Sequence, residues 1–321
     1  MEKIVIYGVG KRFKGWVEQG NIFRNYKIVG LIDQICGQTL TLNNERYTVV
    51  PLNQWTDFSV DRVVITPKKC QDEIKTCLLE YGFRQEQVWL LDEMIKLVLD
   101  ELVHIELFKN KMGLEVGGPS AIFSNIYDIC ETCDGVNYCI DTVWWKQGKT
   151  EIYMYETHRL GKVFIADATD LADISDGFYD FILSSNNLEH IANPIKALGE
   201  FYRVVKKEGI IVVVVPKKYA TFDHRREFTS FEHILEDYKN DIKEDDLTHL
   251  PEIIAKHDYD MDIPCGGREA FLLRAQNNFE NRCLHHHVFD EKCLKSMFEF
   301  WNIYVLEFAD IGNNYWIVGK K

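Results

Sequence analysis

Long apolar runs, a basic excess and a cysteine framework are all missing from this 321-residue chain. No run approaches the roughly 20 apolar residues that cross a bilayer, and Met1-Glu2-Lys3-Ile4-Val5-Ile6-Tyr7 has neither the basic nor the apolar region of a secretion signal. A cytoplasmic protein with no membrane partner is expected. Lys and Arg number 37 against 50 Asp and Glu, a formal charge of -13 without a long basic stretch, so phosphate backbones are repelled and nucleic acid is not an expected partner. Nine cysteines form no regular framework, which suits reduced thiols rather than disulfides. Cys130 and Cys133 make a CxxC with Cys139 nearby, but no fourth ligand follows at zinc-site spacing, so they read as core residues.

What is present is 46% hydrophobic residues over a length that suits two domains. Two α/β patterns follow one another. The first has strands over 3–8, 27–33, 62–66 and 88–91, a turn at Gly8-Val9-Gly10 and a helix over 71–80, and is complete by about residue 95. Asp33 lies where a dinucleotide fold places an acid for a ribose hydroxyl, although Phe13 stands where that fingerprint has its third glycine. A helical stretch over 96–110 joins the two patterns.

The second pattern opens on the strand 111–116, which stops in Gly117-Gly118 and should let backbone amides at the next helix start approach a ligand. A helix over 120–130 and strands over 135–139, 162–168 and 179–185 are expected next, then a helix over 193–205. In the strand over 209–216, Ile-Ile-Val-Val-Val-Val belongs at the centre of a sheet covered on both faces. A helix over 290–300 and strands over 303–308 and 315–318, turning at Gly312-Asn313-Asn314, predict a closing antiparallel hairpin. Between 217 and 287 lies a polar, aromatic, His-rich insertion, and so long an excursion is expected to be functional.

Four blocks in order resemble class I S-adenosylmethionine-dependent methyltransferases, of the methyltransferase type 11-like kind. They are Leu114-Glu115-Val116-Gly117-Gly118, Ala166 to Leu171, Phe178 to His190, and Leu198 to Gly209. The first domain resembles the small Rossmann-like domains found ahead of surface-glycan biosynthesis enzymes. The implied fold is α/β with two Rossmann-like domains, the C-terminal one a methyltransferase sheet with a closing antiparallel hairpin and a long insertion. The implied domains are 1–97, for nucleotide binding or assembly such as a homodimer, and 98–321, with residues 217–287 as an acceptor lid.

The resemblance implies S-adenosylmethionine as cofactor. Glu115, Gly117, Gly118 and Pro119 would face its methionine part, Asp167 and Ala168 its adenine, and Ser185 and Asn186 its methyl group. Pro119 and Ala121 replace later glycines of the family loop, and the second strand lacks the family's terminal acid, so Asn137 or Asp141 would hold the ribose. Methyl transfer is an in-line displacement governed by alignment, and a hydroxyl acceptor also needs a base.

His233 is the first candidate base, because Thr229 and Glu232 read as a capping box holding it on a helix; His224 and His190 follow. Arg225, Arg226 and His286 are candidate acceptor contacts. No pair has HExxH spacing, so no metal is expected. The expected function is methylation, on oxygen, of a small acceptor, sugar- or nucleotide-linked, in polysaccharide or related biosynthesis. The competing reading is a non-catalytic methyltransferase fold used for assembly or nucleotide binding in a biosynthetic complex.

Overall fold

The computed structural model describes residues 1–140 and 152–321. These divide into one compact unit of Met1–Glu101 with Asp310–Asn313, and a second of Leu102–Ala309 with Asn314–Lys321. Among the described residues no helix is long and apolar enough to cross a membrane.

The first unit is a six-stranded sheet made of β1 (Lys3–Tyr7), β2 (Lys27–Ile32), β3 (Thr39–Leu42), β4 (Glu45–Val50), β5 (Arg62–Ile65) and β6 (Val88–Leu90), in the order β3-β4-β2-β1-β5-β6. All neighbours run parallel except the β3–β4 hairpin, whose turn residues Asn43 and Asn44 both have positive φ. The hairpin occupies residues that the apolar pattern leaves as loop, because β3 and β4 face solvent and carry little hydrophobic signal. At the end of β1, Gly8 adopts φ +94 and packs against Thr66 and Pro67, where a Cβ would lie 2.6 Å from Pro67. Asp33 accepts the Val9 amide at 2.7 Å and the Ile35 amide at 3.0 Å, so its carboxylate ties down the glycine turn.

The second unit holds β7 (Met112–Val116), β8 (Thr132–Asn137), β9 (Ile152–Tyr155), β10 (His158–Ile165), β11 (Tyr179–Ser185), β12 (Val205–Pro216), β13 (Tyr304–Ile311) and β14 (Asn314–Lys320). The sheet order is β13-β14-β12-β11-β7-β8-β10-β9. Its centre is parallel, while β14 runs antiparallel to β12 and β9 antiparallel to β10, so a mostly parallel sheet is closed at one edge by the hairpin at Gly312. Ile211 to Val215 of β12 are buried between β11 and β14, as their unbroken branched run requires. The apolar face of the helix Pro194–Val204 covers that sheet with Ile195, Leu198 and Phe201, and Asn193 caps it through the Lys196 amide.

Three local readings are corrected. Instead of a helix over 120–130 there are two single turns, Ala121–Phe123 and Ser124–Tyr127. Tyr127 folds back so that its hydroxyl accepts the Ser120 amide, and Glu131 already pairs with Lys111, which starts β8 at Thr132. Strand β10 stops at Ile165, because Asp167 turns the chain by accepting the Thr169 amide and hydroxyl. The helix Phe231–Lys239 is capped by Ser230 and not by Thr229, whose hydroxyl instead accepts the Val288 amide.

Candidate active site

The parallel strands β7, β8, β10 and β11 end at one edge, which is where open α/β sheets leave a crevice. A cavity of about 130 Å³ lies there, lined by Gly117, Asn137, Tyr138, Ala166 to Ala168, Asn187 and His190, with Glu244 and Arg282 of the insertion on its far side. A second cavity of about 390 Å³ is lined by Gly117 to Ile122, Ser185 to Asn187 and His190. Gly117, Asn187 and His190 border both.

The glycine turn is built from beneath. Glu115 is fully buried and accepts hydrogen bonds from the hydroxyls of Tyr127 and Tyr153, the latter at 2.8 Å. Burial pushes its carboxyl up to about 7 in spite of those donors. A Cβ on Gly118 would stand 2.1 Å from that carboxyl, so glycine is required there by close approach. Gly117 has φ +86, and a Cβ on it would lie 2.6 Å from Asn187, between the two cavities. Glu115 therefore supports the turn and does not line either cavity, whereas Gly117, Gly118 and Pro119 do.

Asn137, almost fully buried, donates from Nδ2 to the Gly118 carbonyl at 3.1 Å and lines the smaller cavity. Asp141, the other ribose candidate, lies outside the described residues. Asp167 and Ala168 line the smaller cavity, and Ser185 and Asn186 the larger. Asp167 Oδ2 stands 3.2 Å from the Arg282 guanidinium, which also reaches Glu244 at 3.2 Å and lies over the Tyr138 ring at 3.9 Å.

Of the candidate bases, only His190 reaches the cavities. Its Nδ1 is 3.1 Å from the Leu284 carbonyl, which can only accept, so Nδ1 carries the proton and Nε2 is the accepting nitrogen. Burial, reinforced by His285 at 4.6 Å ring to ring, pushes its imidazole well below the ordinary His range. Beneath it Glu189 is buried with Oε2 unpaired, and burial pushes that carboxyl up to about 7.

The remaining candidates are held elsewhere by identifiable contacts. His224 and Arg225 both bind Asp258 at 2.8 Å. Arg226 is buried, donating to Asp223 at 3.0 Å and to the carbonyls of His285 at 2.8 Å and His286 at 3.0 Å. Burial opposes ionisation of Asp223, but His285 and Arg226 hold its carboxyl down at about 2. That buried cluster ties residues 223–226 to 285–286 and so sets His285 against His190. His286 is buried against Asn278 at 3.0 Å, and His233 sits with His249 and Asp237. None of these five lines either cavity.

Tyr138, Asn187, Glu244 and Arg282 line the smaller cavity without having been singled out in the sequence. Asn187 follows Asn186 within a recognised block and was legible in principle. Arg282 and Glu244 arrive from the insertion, and only its folded path brings them there.

A sheet of this topology with a glycine turn and a polar crevice at its strand ends defines a nucleotide-type cofactor site on a Rossmann-like domain. A family profile described as a methyltransferase domain matches residues 114–213, and these residues form a class I S-adenosylmethionine-dependent methyltransferase domain. The protein is a methyltransferase with S-adenosylmethionine as its cofactor. A second profile, described as C2185-like, N-terminal, matches residues 1–89. No curated protein matches the chain.

Among solved structures, a methyltransferase from Listeria monocytogenes, titled putative and S-adenosylmethionine-dependent, is 13% identical with a TM-score of 0.41, over 70% of this chain and 95% of its own. One from Aquifex aeolicus is 14% identical with a TM-score of 0.37, over 69% and 91%. A putative one from Bacillus halodurans is 12% identical with a TM-score of 0.37, over 69% and 94%. None of these likenesses is close enough to bear on substrate.

The lining residues fit the cofactor. The side-chain-free approach at Gly117, the carboxylate of Asp167 and the carboxamides of Asn137 and Asn187 are a donor and acceptor set suited to an amino acid joined to a nucleoside.

Proposed function

We propose that the protein methylates a hydroxyl of a small acceptor, sugar- or nucleotide-linked, in cytoplasmic polysaccharide or related biosynthesis. The carrying observation is His190, which borders both cavities with its tautomer set by the Leu284 carbonyl. The cofactor supplies a methyl group on a sulfonium that leaves as a neutral thioether. Gly117, Gly118 and Pro119 receive its methionine part, Asn137 its ribose, and Asp167 and Ala168 its adenine. Holding donor and acceptor in line is worth roughly 7 to 11 kcal/mol of barrier in well-oriented systems. His190 Nε2 takes the acceptor hydroxyl proton as oxygen attacks, a step worth about 10² to 10⁴ in rate.

The larger cavity, where Gly118 and Pro119 would receive the methionine part of the cofactor, supports a neutral, hydroxyl-rich acceptor beside it. Its polar side chains are Ser120, Ser185, Asn186, Asn187 and His190, and among the described residues no carboxylate or Lys or Arg side chain that would favour a charged acceptor lines it. Its volume of about 390 Å³ falls in the range of small-molecule sites. The insertion, residues 217–287, expected as an acceptor lid, instead lines the cavity assigned to the cofactor, through Glu244 and Arg282, and contributes no residue to the larger one. For the domain 1–97 an assembly role is supported by Asp33, whose carboxylate is engaged with the Val9 and Ile35 amides.

A mass-spectrometric screen of nucleotide sugars, glycosides and amines with S-adenosylmethionine tests the acceptor class. A sugar-linked product heavier by one CH₂, accompanied by S-adenosylhomocysteine, is expected. Methylation of amines alone would overturn the oxygen reading.

A further inference from the structure

Within the insertion, three histidines and one aspartate converge. His233 and Asp237 lie four residues apart on one face of the helix Phe231–Lys239. His249 precedes the helix Leu250–Lys256, and His287 comes from the segment returning to the domain core. His233 Nε2 is 3.0 Å from His249 Nε2 and 3.4 Å from Asp237 Oδ2, and His287 Nε2 is 3.8 Å from the same oxygen. A tetrahedral zinc ion with ligand bonds of about 2.0 to 2.1 Å sets its donors about 3.3 Å apart. The donor atoms of His233, Asp237 and His287 all fall within 4.8 Å of one another.

A further observation points into the cluster. Asp237 is only 8% exposed, and its Oδ2 has no hydrogen-bond partner. A buried carboxylate oxygen left unpaired is costly, and a metal ion removes that cost. His287 is 2% exposed, and its Nε2, the nitrogen that faces Asp237, is 3.1 Å from the Ala192 carbonyl. To ligate a metal it would exchange that hydrogen bond for the ion and carry its proton on Nδ1, which has no partner.

We propose that His233, Asp237 and His287, with His249 as the adjacent fourth donor, form a binding site for a divalent transition metal, with zinc as the preferred ion. Three imidazoles and one carboxylate suit zinc better than magnesium or calcium, which favour all-oxygen sets. The site would pin the helix Phe231–Lys239 to the 284–289 segment. It therefore stabilises the insertion without touching the reacting atoms.

The test uses the full chain with any histidine tag removed, stripped by a chelator and then reconstituted with zinc or cobalt(II). One equivalent of zinc by elemental analysis, a visible absorption band of tetrahedral cobalt(II) and a raised melting temperature with zinc are expected. Asp237→Asn and His233→Gln should each weaken zinc binding by at least about tenfold, with S-adenosylhomocysteine binding retained. His257→Gln, in a separate cluster with Asp262, should leave zinc affinity unchanged. Failure of the stripped wild-type chain to take up zinc or cobalt would overturn the proposal. So would wild-type zinc affinity in Asp237→Asn and His233→Gln variants whose circular dichroism matches the parent.

Discussion

Gly117→Asp is expected to abolish measurable binding of S-adenosylhomocysteine, with an affinity loss of at least about 100-fold, or ~2.7 kcal/mol. Three effects add. Gly117 has φ +86, a conformation costly for any residue with a Cβ. An added Cβ would press on Asn187 at 2.6 Å, on the boundary shared by the two cavities. The new carboxylate would also face the cofactor's own carboxylate. Gly117→Ala carries the first two effects without the charge and should lose less. Calorimetric titration of both variants, with a melting curve to confirm folding, separates the contributions. Unchanged affinity in Gly117→Asp would place the cofactor away from this turn.

His190→Ala is expected to lower turnover by about 10² to 10⁴ while leaving cofactor-product affinity within about threefold. Burial favours the neutral imidazole, so its basic form persists below the ordinary His value of 6.5. The rate of the wild-type enzyme should accordingly hold steady as pH falls towards 6.5 and decline only at lower pH. That acid limb should vanish in the variant. The stability linkage follows the same sign: the unfolded chain takes up this proton more readily, so the stabilising contribution of neutral His190 is present above about pH 6.5 and is lost as pH falls through the folded value. Kinetics with the acceptor found by mass spectrometry, across pH, would check both statements. A parallel loss of cofactor binding would assign His190 to positioning.

The glycine turn, the end of β11 at Ser185 and the closing hairpin were legible because each depends on local chain chemistry. A strand that stops in glycines, an apolar run of branched residues and a turn at Gly312 announce themselves within a few residues. The choice among histidines was not legible in that way. His233 has a well-capped helix and His190 does not, yet His190 borders the cavities because β11 ends beside it. The distant segment 284–287 is drawn against it by Arg226, through carbonyls about sixty residues away in sequence. Arg226 itself looked like an anion contact, since a sequence does not show that its guanidinium is spent on Asp223 and backbone oxygens. Glu115 matched its family position, but two tyrosines, one of them on β9, take up its carboxylate beneath the turn. Asn137 and Arg282 show the same limit, because hydrogen bonds and stacking across long sequence separations decide what a polar side chain is available to do.

The most direct measurement of the central claim is an isothermal titration of S-adenosylhomocysteine into the full-length protein, paired with thermal melting in the same buffer. Binding at one site per chain and a melting temperature that rises with ligand concentration are predicted, since a ligand bound by the native state alone must stabilise it. No heat and no stabilisation at millimolar ligand would contradict the claim that the crevice at Gly117 and Asp167 holds the cofactor.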